Sequence, residues 1–181
     1  MTLYLNAHLT GNYTHFFMKR LSLIRHAKSE WANSQIDDID RPLNARGYDD
    51  AKTMAMRMRE LGKLPECLIS STAVRAVTTA LIFSRTLGLE ASETIFTTKL
   101  YEASEAAFLK VLRNLPDSYS HICVFGHNPA ITAIANTLGA ESILNIPTCG
   151  MVVFEADISS WKELRTAKLL LFDYPKNSQE N

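Results

Sequence analysis

Residues 20–31, "RLSLIRHAKSEW", decide how the chain is read: a run of branched apolar residues ends abruptly in Arg25, His26 and Lys28. "RLSLI" has no helical spacing and reads as a short strand of an interior sheet. The polar stretch behind it, 29–44, reads as a loop. A strand that delivers basic side chains at its carboxyl end is placed as ligand-binding strands are in open α/β sheets, where ligands sit beyond the carboxyl ends.

Outward from this strand the chain alternates. Asn44 is suited to cap a helix over 45–62, in which Ala51, Met54, Met58 and Leu61 share one face as core packing and Gly62 marks the stop. "ECLIS" (66–70) is a second strand, followed by a helix over 71–88 that ends at Gly88. "ETIFTT" (93–98) is a third strand, and a helix capped by Ser104 runs toward Pro116. "HICVF" (121–125) is a fourth strand, and "GHNPAITAIANTLG" (126–139) a turn and helix. "MVVFEA" (151–156) and "AKLLLFDY" (167–174) close the chain as a hairpin at a sheet edge. Strands alternating with helices predict an α/β fold, a three-layer α/β/α sandwich around a mainly parallel central sheet.

The 181 residues suit one domain, with 46% hydrophobic and 21% charged residues as in ordinary globular chains. The expected division is an extension over 1–17, a domain over 18–175 and a tail over 176–181, with Met18 offering a second start. His8 and His15 fall in the extension and receive no role. Nineteen Lys and Arg balance nineteen Asp and Glu, so no global field favours nucleic acid or an anionic membrane. No apolar run reaches the roughly 20 residues of a membrane-spanning helix, and no basic leader with an apolar core precedes the domain. Cys67, Cys123 and Cys149 are odd in number and widely spaced, which argues against a disulfide framework or a zinc site and for a cytoplasmic setting. Cys67 and Cys123 read as small core residues. No cofactor and no metal are expected: Asp37, Asp38 and Asp40 lack further ligands at the required spacing and read as a solvated loop.

Arg25 and His26 end the first strand, Arg75 opens the helix after the second, and His127 follows the fourth. Three segments thus aim basic groups at one rim, where helix N-termini add N–H donors, and a phosphoryl group is the natural ligand. Lys28 and Asn128 are further candidates for touching phosphate or substrate, set against the plainer readings of an exposed lysine and a turn before Pro129. Ser29 is weighed as a helix cap. His121, opening a strand, reads as structural. Arg41 and Asn44 are expected to brace their loop. Glu102, in the loop after the third strand, is the candidate acid for a leaving alkoxide, with Glu105 in reserve.

The motifs "RHAKSEW", "RPLNARG", "SSTAVRAVTTA" and "FGHNP" together resemble the histidine phosphatase superfamily, and within it the short phosphohistidine phosphatases of the SixA type more than the phosphoglycerate mutases. The likeness runs from about residue 18 to 173. Ser71-Thr72 stands where the family more often has Ser-Pro, a departure expected to loosen the turn before Arg75. The resemblance implies a phosphoglycerate mutase-like fold and His26 as a nucleophile that takes the phosphoryl group on a ring nitrogen. Arg25, Arg75 and His127 would then bind its oxygens. Such a nucleophile must be neutral at the attacking nitrogen while an acceptor, usually a backbone carbonyl, holds the other. Arg25 and Arg75 are expected to disfavour the imidazolium, and His127 to become a charged donor beside a phosphate dianion. Little chain is left over for a lid, so the expected substrate is a protein phosphohistidine. The alternatives are a small phosphorylated substrate, such as a sugar phosphate or nucleotide, and a phosphate- or phosphoprotein-binding module without turnover. A monomer is the default expectation.

Overall fold

The computed structural model describes residues 18–32 and 34–177. The extension over 1–17, with His8 and His15, and the end of the tail, 178–181, lie outside the described residues. Asn177, assigned to the tail from sequence, donates from Nδ2 to Asp173 Oδ1 at 3.1 Å.

Ten principal elements follow one another: β1 (Met18–Arg25), α1 (Ala45–Glu60), β2 (Cys67–Ser71), α2 (Val74–Leu87), β3 (Thr94–Thr97), α3 (Glu105–Leu112), β4 (His121–Gly126), α4 (Ala130–Leu138), β5 (Met151–Asp157) and β6 (Lys168–Asp173). The strands form one sheet in the order β3-β2-β4-β1-β5-β6. The first four are mutually parallel, and β5 runs antiparallel to both β1 and β6. The sheet is therefore mixed, with the expected terminal hairpin at its edge.

Each face of the sheet carries its own core. Ile24, Leu68, Cys123 and Phe125 pack with Met54 and Met58 of α1 and Phe83 of α2. Leu21, Leu23, Ile69, Ile122 and Val124 pack with Phe108 and Leu112 of α3 and Ile131 and Ile134 of α4. Because strand side chains alternate between faces, both faces of β1 and β4 must be apolar, and residues 21–24 of β1 and all of β4 are buried. Cys67 and Cys123 are core residues, as expected.

The caps follow the sequence signals. Asn44 accepts from Gly47 N at 2.9 Å, Ser104 accepts from Ala107 N at 3.2 Å, and Gly88 ends α2 in the left-handed region (φ 74°). Strand ends shift by a residue or two, and three helix boundaries differ. Leu61 is the C-cap of α1 rather than part of its buried face, and its side chain is exposed. α2 starts at Val74 because β2 continues through Ser71, and α3 ends at Leu112, ahead of Pro116, in a further turn.

The topology explains where a site can form. The chain steps outward from β1 to β2 to β3 with α1 and α2 on one face, then returns to β4 beside β1 with α3 and α4 on the other. The connections leaving β1 and β4 diverge to opposite faces, which opens a crevice at their carboxyl ends.

Candidate active site

Register puts the two histidines side by side. Arg25 of β1 is paired with Gly126 of β4, so the next residue of each strand, His26 and His127, emerges at the same level; His26 N donates to Gly126 O at 3.1 Å. Their ring centroids are 5.0 Å apart. Arg75, second residue of α2, reaches in from the neighbouring strand, and Arg25 and Glu102 line the same cavity of about 380 Å³. Lys28 and Asn128 also line it, so all seven residues singled out from sequence meet there.

His26 is almost fully buried. Its Nδ1–H donates to the Ala27 carbonyl at 2.8 Å, and Arg75 Nε donates to its Nε2 at 3.3 Å. These two bonds select the neutral tautomer with the lone pair on Nε2. Burial, helped by His127, Arg75 and Arg25, pushes the His26 imidazolium down to about 3, although the Ala27 carbonyl works the other way. The arginines act in the expected direction, but desolvation is the larger cause. His127 is pushed down to about 4, again by burial first and then by Arg75, with Asp38 opposing. Without an anion it is neutral at pH 7, and its Nε2 lies 2.8 Å from Ser71 Oγ.

The backbone around His26 is over-determined. Ala27 N donates to Thr79 Oγ1 at 3.0 Å, and Cys149 N donates to both the Arg25 and His26 carbonyls at 3.1 Å. Cys149 holds φ at 60° to do so, and Glu102 sits at φ 48°; these are the two non-glycine residues with positive φ among the described residues. Both flank the cavity, where strained backbone tends to collect. Gly47 of α1 passes so close to the Lys28 carbonyl that a Cβ would stand 2.1 Å from its oxygen, which accounts for the glycine in "RPLNARG".

Unpaired polar atoms collect at the cavity. Arg25 Nε, Arg41 NH1 and His127 Nδ1 are buried without a hydrogen-bond partner, while Arg25 NH1 donates to Ile146 O at 2.8 Å. Buried donors are ordinarily paired, and three cationic or potentially cationic ones beside a single cavity suit an oxyanion. Among the described residues no group of three or more His, Cys, Asp or Glu is placed to hold a metal ion, and no helix is long and apolar enough to cross a membrane.

Other candidates separate. Lys28 is half-buried and its carbonyl accepts from Asn44 N at 3.0 Å. Asn128 spends its side chain within the protein, donating to Asn145 Oδ1 and Ile146 O and accepting from Thr132 Oγ1. Ser29 caps no helix; it pairs with Leu43 in an isolated bridge that joins the two motif loops. Glu105 lies outside the cavity lining and accepts from Thr137 Oγ1 at 2.5 Å. His121 is buried, with its Nε2 2.9 Å from Ser22 Oγ, in keeping with a structural role. The Ser71-Thr72 departure leaves Arg75 buried with each of its three guanidinium nitrogens bonded; Ser71 Oγ accepts from Ala73 N at 3.4 Å and the first turn of α2 closes on Ala73 O.

Sequence reading missed Asp38. It is not merely a solvated loop residue: its carboxylate pairs with Arg75 NH2 at 2.7 Å and Arg41 NH2 at 2.5 Å, accepts from Tyr101 OH at 3.0 Å, and its carbonyl accepts from Arg75 NH1. Burial alone would raise this carboxyl, but the bonds from Arg75 and Tyr101 and the charges of Arg75 and Arg41 hold it below the usual range. Tyr101 and Trp31 also line the cavity, and Arg41 both pairs with Asp38 and lies 3.6 Å from the centroid of the Trp31 ring. No spacing rule marks an acidic residue that meets its partners 37 and 63 positions away.

Comparison with known proteins gives a consistent picture. The model of the histidine phosphatase superfamily (branch 1) matches residues 21–104. An uncharacterized chloroplastic protein of Arabidopsis thaliana is 31% identical over 153 residues, covering 80% of this chain and 70% of that protein. An uncharacterized protein of Mycobacterium leprae is 30% identical over 167 residues, covering 84% of this chain and all of the relative. A crystal structure from Agrobacterium tumefaciens, described as that of a candidate phosphohistidine phosphatase SixA, superposes with a TM-score of 0.75 at 25% identity over 87% of this chain and 98% of that one. Two facing histidines at the ends of adjacent parallel strands, the arginines around them and these matches agree: the chain belongs to the histidine phosphatase superfamily.

Proposed function

We propose that this phosphatase works through a phosphohistidine on His26 and that its substrate is a phosphohistidine borne by another protein. The observation that carries the first part is the neutral His26 ring, held through Nδ1 by the Ala27 carbonyl with its lone pair facing Arg75. An incoming phosphoryl group takes the place of the Arg75 Nε contact, and Arg75 turns that donor to an equatorial oxygen. Arg25 Nε and His127 meet further oxygens; a dianion stabilises the His127 imidazolium, which then donates a charge-assisted bond. Phosphoryl transfer passes through a loose transition state, so fixed cationic donors in a half-closed cavity supply most of the catalysis. Water then hydrolyses the phosphoenzyme.

The protein-borne substrate is supported by the printed description of the Agrobacterium neighbour. A second reading, hydrolysis of a small phosphomonoester, draws on Glu102, which lines the cavity where an acid could protonate an alkoxide. Brief mixing with a 32P-labelled phosphohistidine protein, followed by alkaline denaturation, should trap acid-labile label on the wild-type chain and none on His26→Ala. Absence of label on wild-type protein under turnover would remove the intermediate. Glu102→Gln should slow an alkyl phosphate at least tenfold more than the phosphohistidine protein; the opposite ordering would remove the acid on which the phosphomonoester reading draws, whereas a wild-type kcat/KM higher on small phosphomonoesters than on the phosphohistidine protein would favour that reading.

A further inference from the structure

A carboxylate beside an oxyanion site repels the ligand, so the position of Asp38 calls for a reason. Orienting Arg75 is only part of one, since that guanidinium is already held by His26 Nε2 and the Asp38 carbonyl. Three donors, from Arg41, Arg75 and Tyr101, occupy the Asp38 carboxylate. An ionised carboxylate offers about four lone-pair positions, so one is left, and the side chain is 48% exposed on the cavity wall. Trp31 lines the same wall with 68% of its surface exposed; the Arg41 guanidinium lies against one face of its ring, and its backbone N–H donates to Glu30 Oε1 at 2.7 Å. An indole so placed presents a flat, pre-positioned surface for another ring.

We propose that Asp38 and Trp31 form a leaving-group subsite for a planar ring bearing an N–H: Trp31 stacks the ring and Asp38 accepts its N–H. This rests on the phosphohistidine reading, which makes the ring the substrate's imidazole. As the bond from phosphorus to the substrate nitrogen breaks, its electron pair returns to that nitrogen, while His26 Nε2 forms the new bond to phosphorus. If the substrate's other ring nitrogen carries a proton, the departing group is neutral imidazole and no further acid is needed; if it does not, the departing group is the far poorer imidazolate. By accepting that N–H, Asp38 favours the protonated substrate ring.

The test compares a short histidine peptide phosphorylated with phosphoramidate against 4-nitrophenyl phosphate, whose leaving group has a ring but no N–H. Asp38→Asn should lower kcat/KM on the peptide about tenfold more than on the aryl ester, and the excess should grow as pH rises. Equal losses on both substrates across the pH range would reduce Asp38 to a support for Arg75 and overturn the subsite. Trp31→Ala changes an exposed residue and spares the core; it should raise KM several-fold more for the two ring-bearing substrates than for glycerol phosphate, and an equal rise on all three would also overturn the subsite. Wild-type protein active on the aryl ester but inactive on the peptide would overturn the subsite together with the phosphohistidine reading, whereas active wild-type with equal losses in the variants overturns the subsite alone.

Discussion

β1 carries basic residues at both ends, and the two ends behave differently. At its amino end Lys19 is buried with its ammonium donating to the Asp117 and Tyr119 carbonyls at 2.6 and 2.9 Å and lying over the Trp161 ring, and Arg20 pairs with Glu155. At its carboxyl end Arg25 keeps a buried Nε without a partner, and His26 shares a cavity with His127, Arg75 and Asp38. On the proposed reading the same strand and the same charge sign serve stability at one end and chemistry at the other. What differs is what the side chains face: carbonyls, an indole and a carboxylate at one end, and a cavity shared with other basic groups at the other.

The largest expected contrast comes from removing one group at each end. His26→Ala should lower kcat by at least about a thousandfold, since the proposed nucleophile has no substitute. Lys19→Met should leave kcat/KM within about twofold while costing about 1–3 kcal/mol in urea unfolding, through the two carbonyls left without their donor. A comparable loss of activity in Lys19→Met would break the comparison.

Arg75→Lys tests how far the carboxyl-end rim depends on a planar fork. Its three nitrogens face His26, the Asp38 carbonyl and the Asp38 carboxylate. One ammonium cannot span those directions, so kcat/KM should fall about a hundredfold with the unfolding midpoint little changed.

Gly47→Ala probes the scaffold behind the site. A Cβ 2.1 Å from the Lys28 carbonyl forces α1 and the loop after His26 apart, which should cost about 1–3 kcal/mol of stability and a smaller loss of rate.

pH gives the gentlest test. His26, His121 and His127 are held neutral in the fold, pushed down to about 3, 4 and 4. Below about pH 6.5 the unfolded chain binds protons that the folded chain does not, so stability is full above 6.5 and is lost as pH falls toward 4. Between pH 7 and 5 the loss should reach a few kcal/mol in urea titrations, and His121→Gln should remove roughly a third of the pH dependence without removing activity. A flat profile would mean these rings are not neutral in the fold.

Much of this was legible before any coordinates. The apolar runs of β1 and β4 announce a sheet covered on both faces, the Asn44 and Ser104 caps lie where capping side chains predict, and Arg25, His26, Arg75 and His127 follow strands or open a helix. The parts that escaped are those made by contacts distant in the chain or by local competition. Leu61 looked buried because it continues a helical face, yet the helix ends at it. Glu105 and Glu102 are three residues apart in one acidic stretch, and only the fold shows that the first turns to Thr137 and the second to the cavity.

By itself the sequence determined the alternation of elements, the two-faced core and the identity of the basic groups at the strand ends, because periodicity, capping and strand burial are encoded within a few residues. Tertiary structure alone decided that β4 pairs directly with β1, that Asp38 enters the arginine cluster with Tyr101, and that His26 is kept neutral chiefly by burial. Register, desolvation and ion pairing depend on which distant segments share one small volume, and nothing in a local pattern states that.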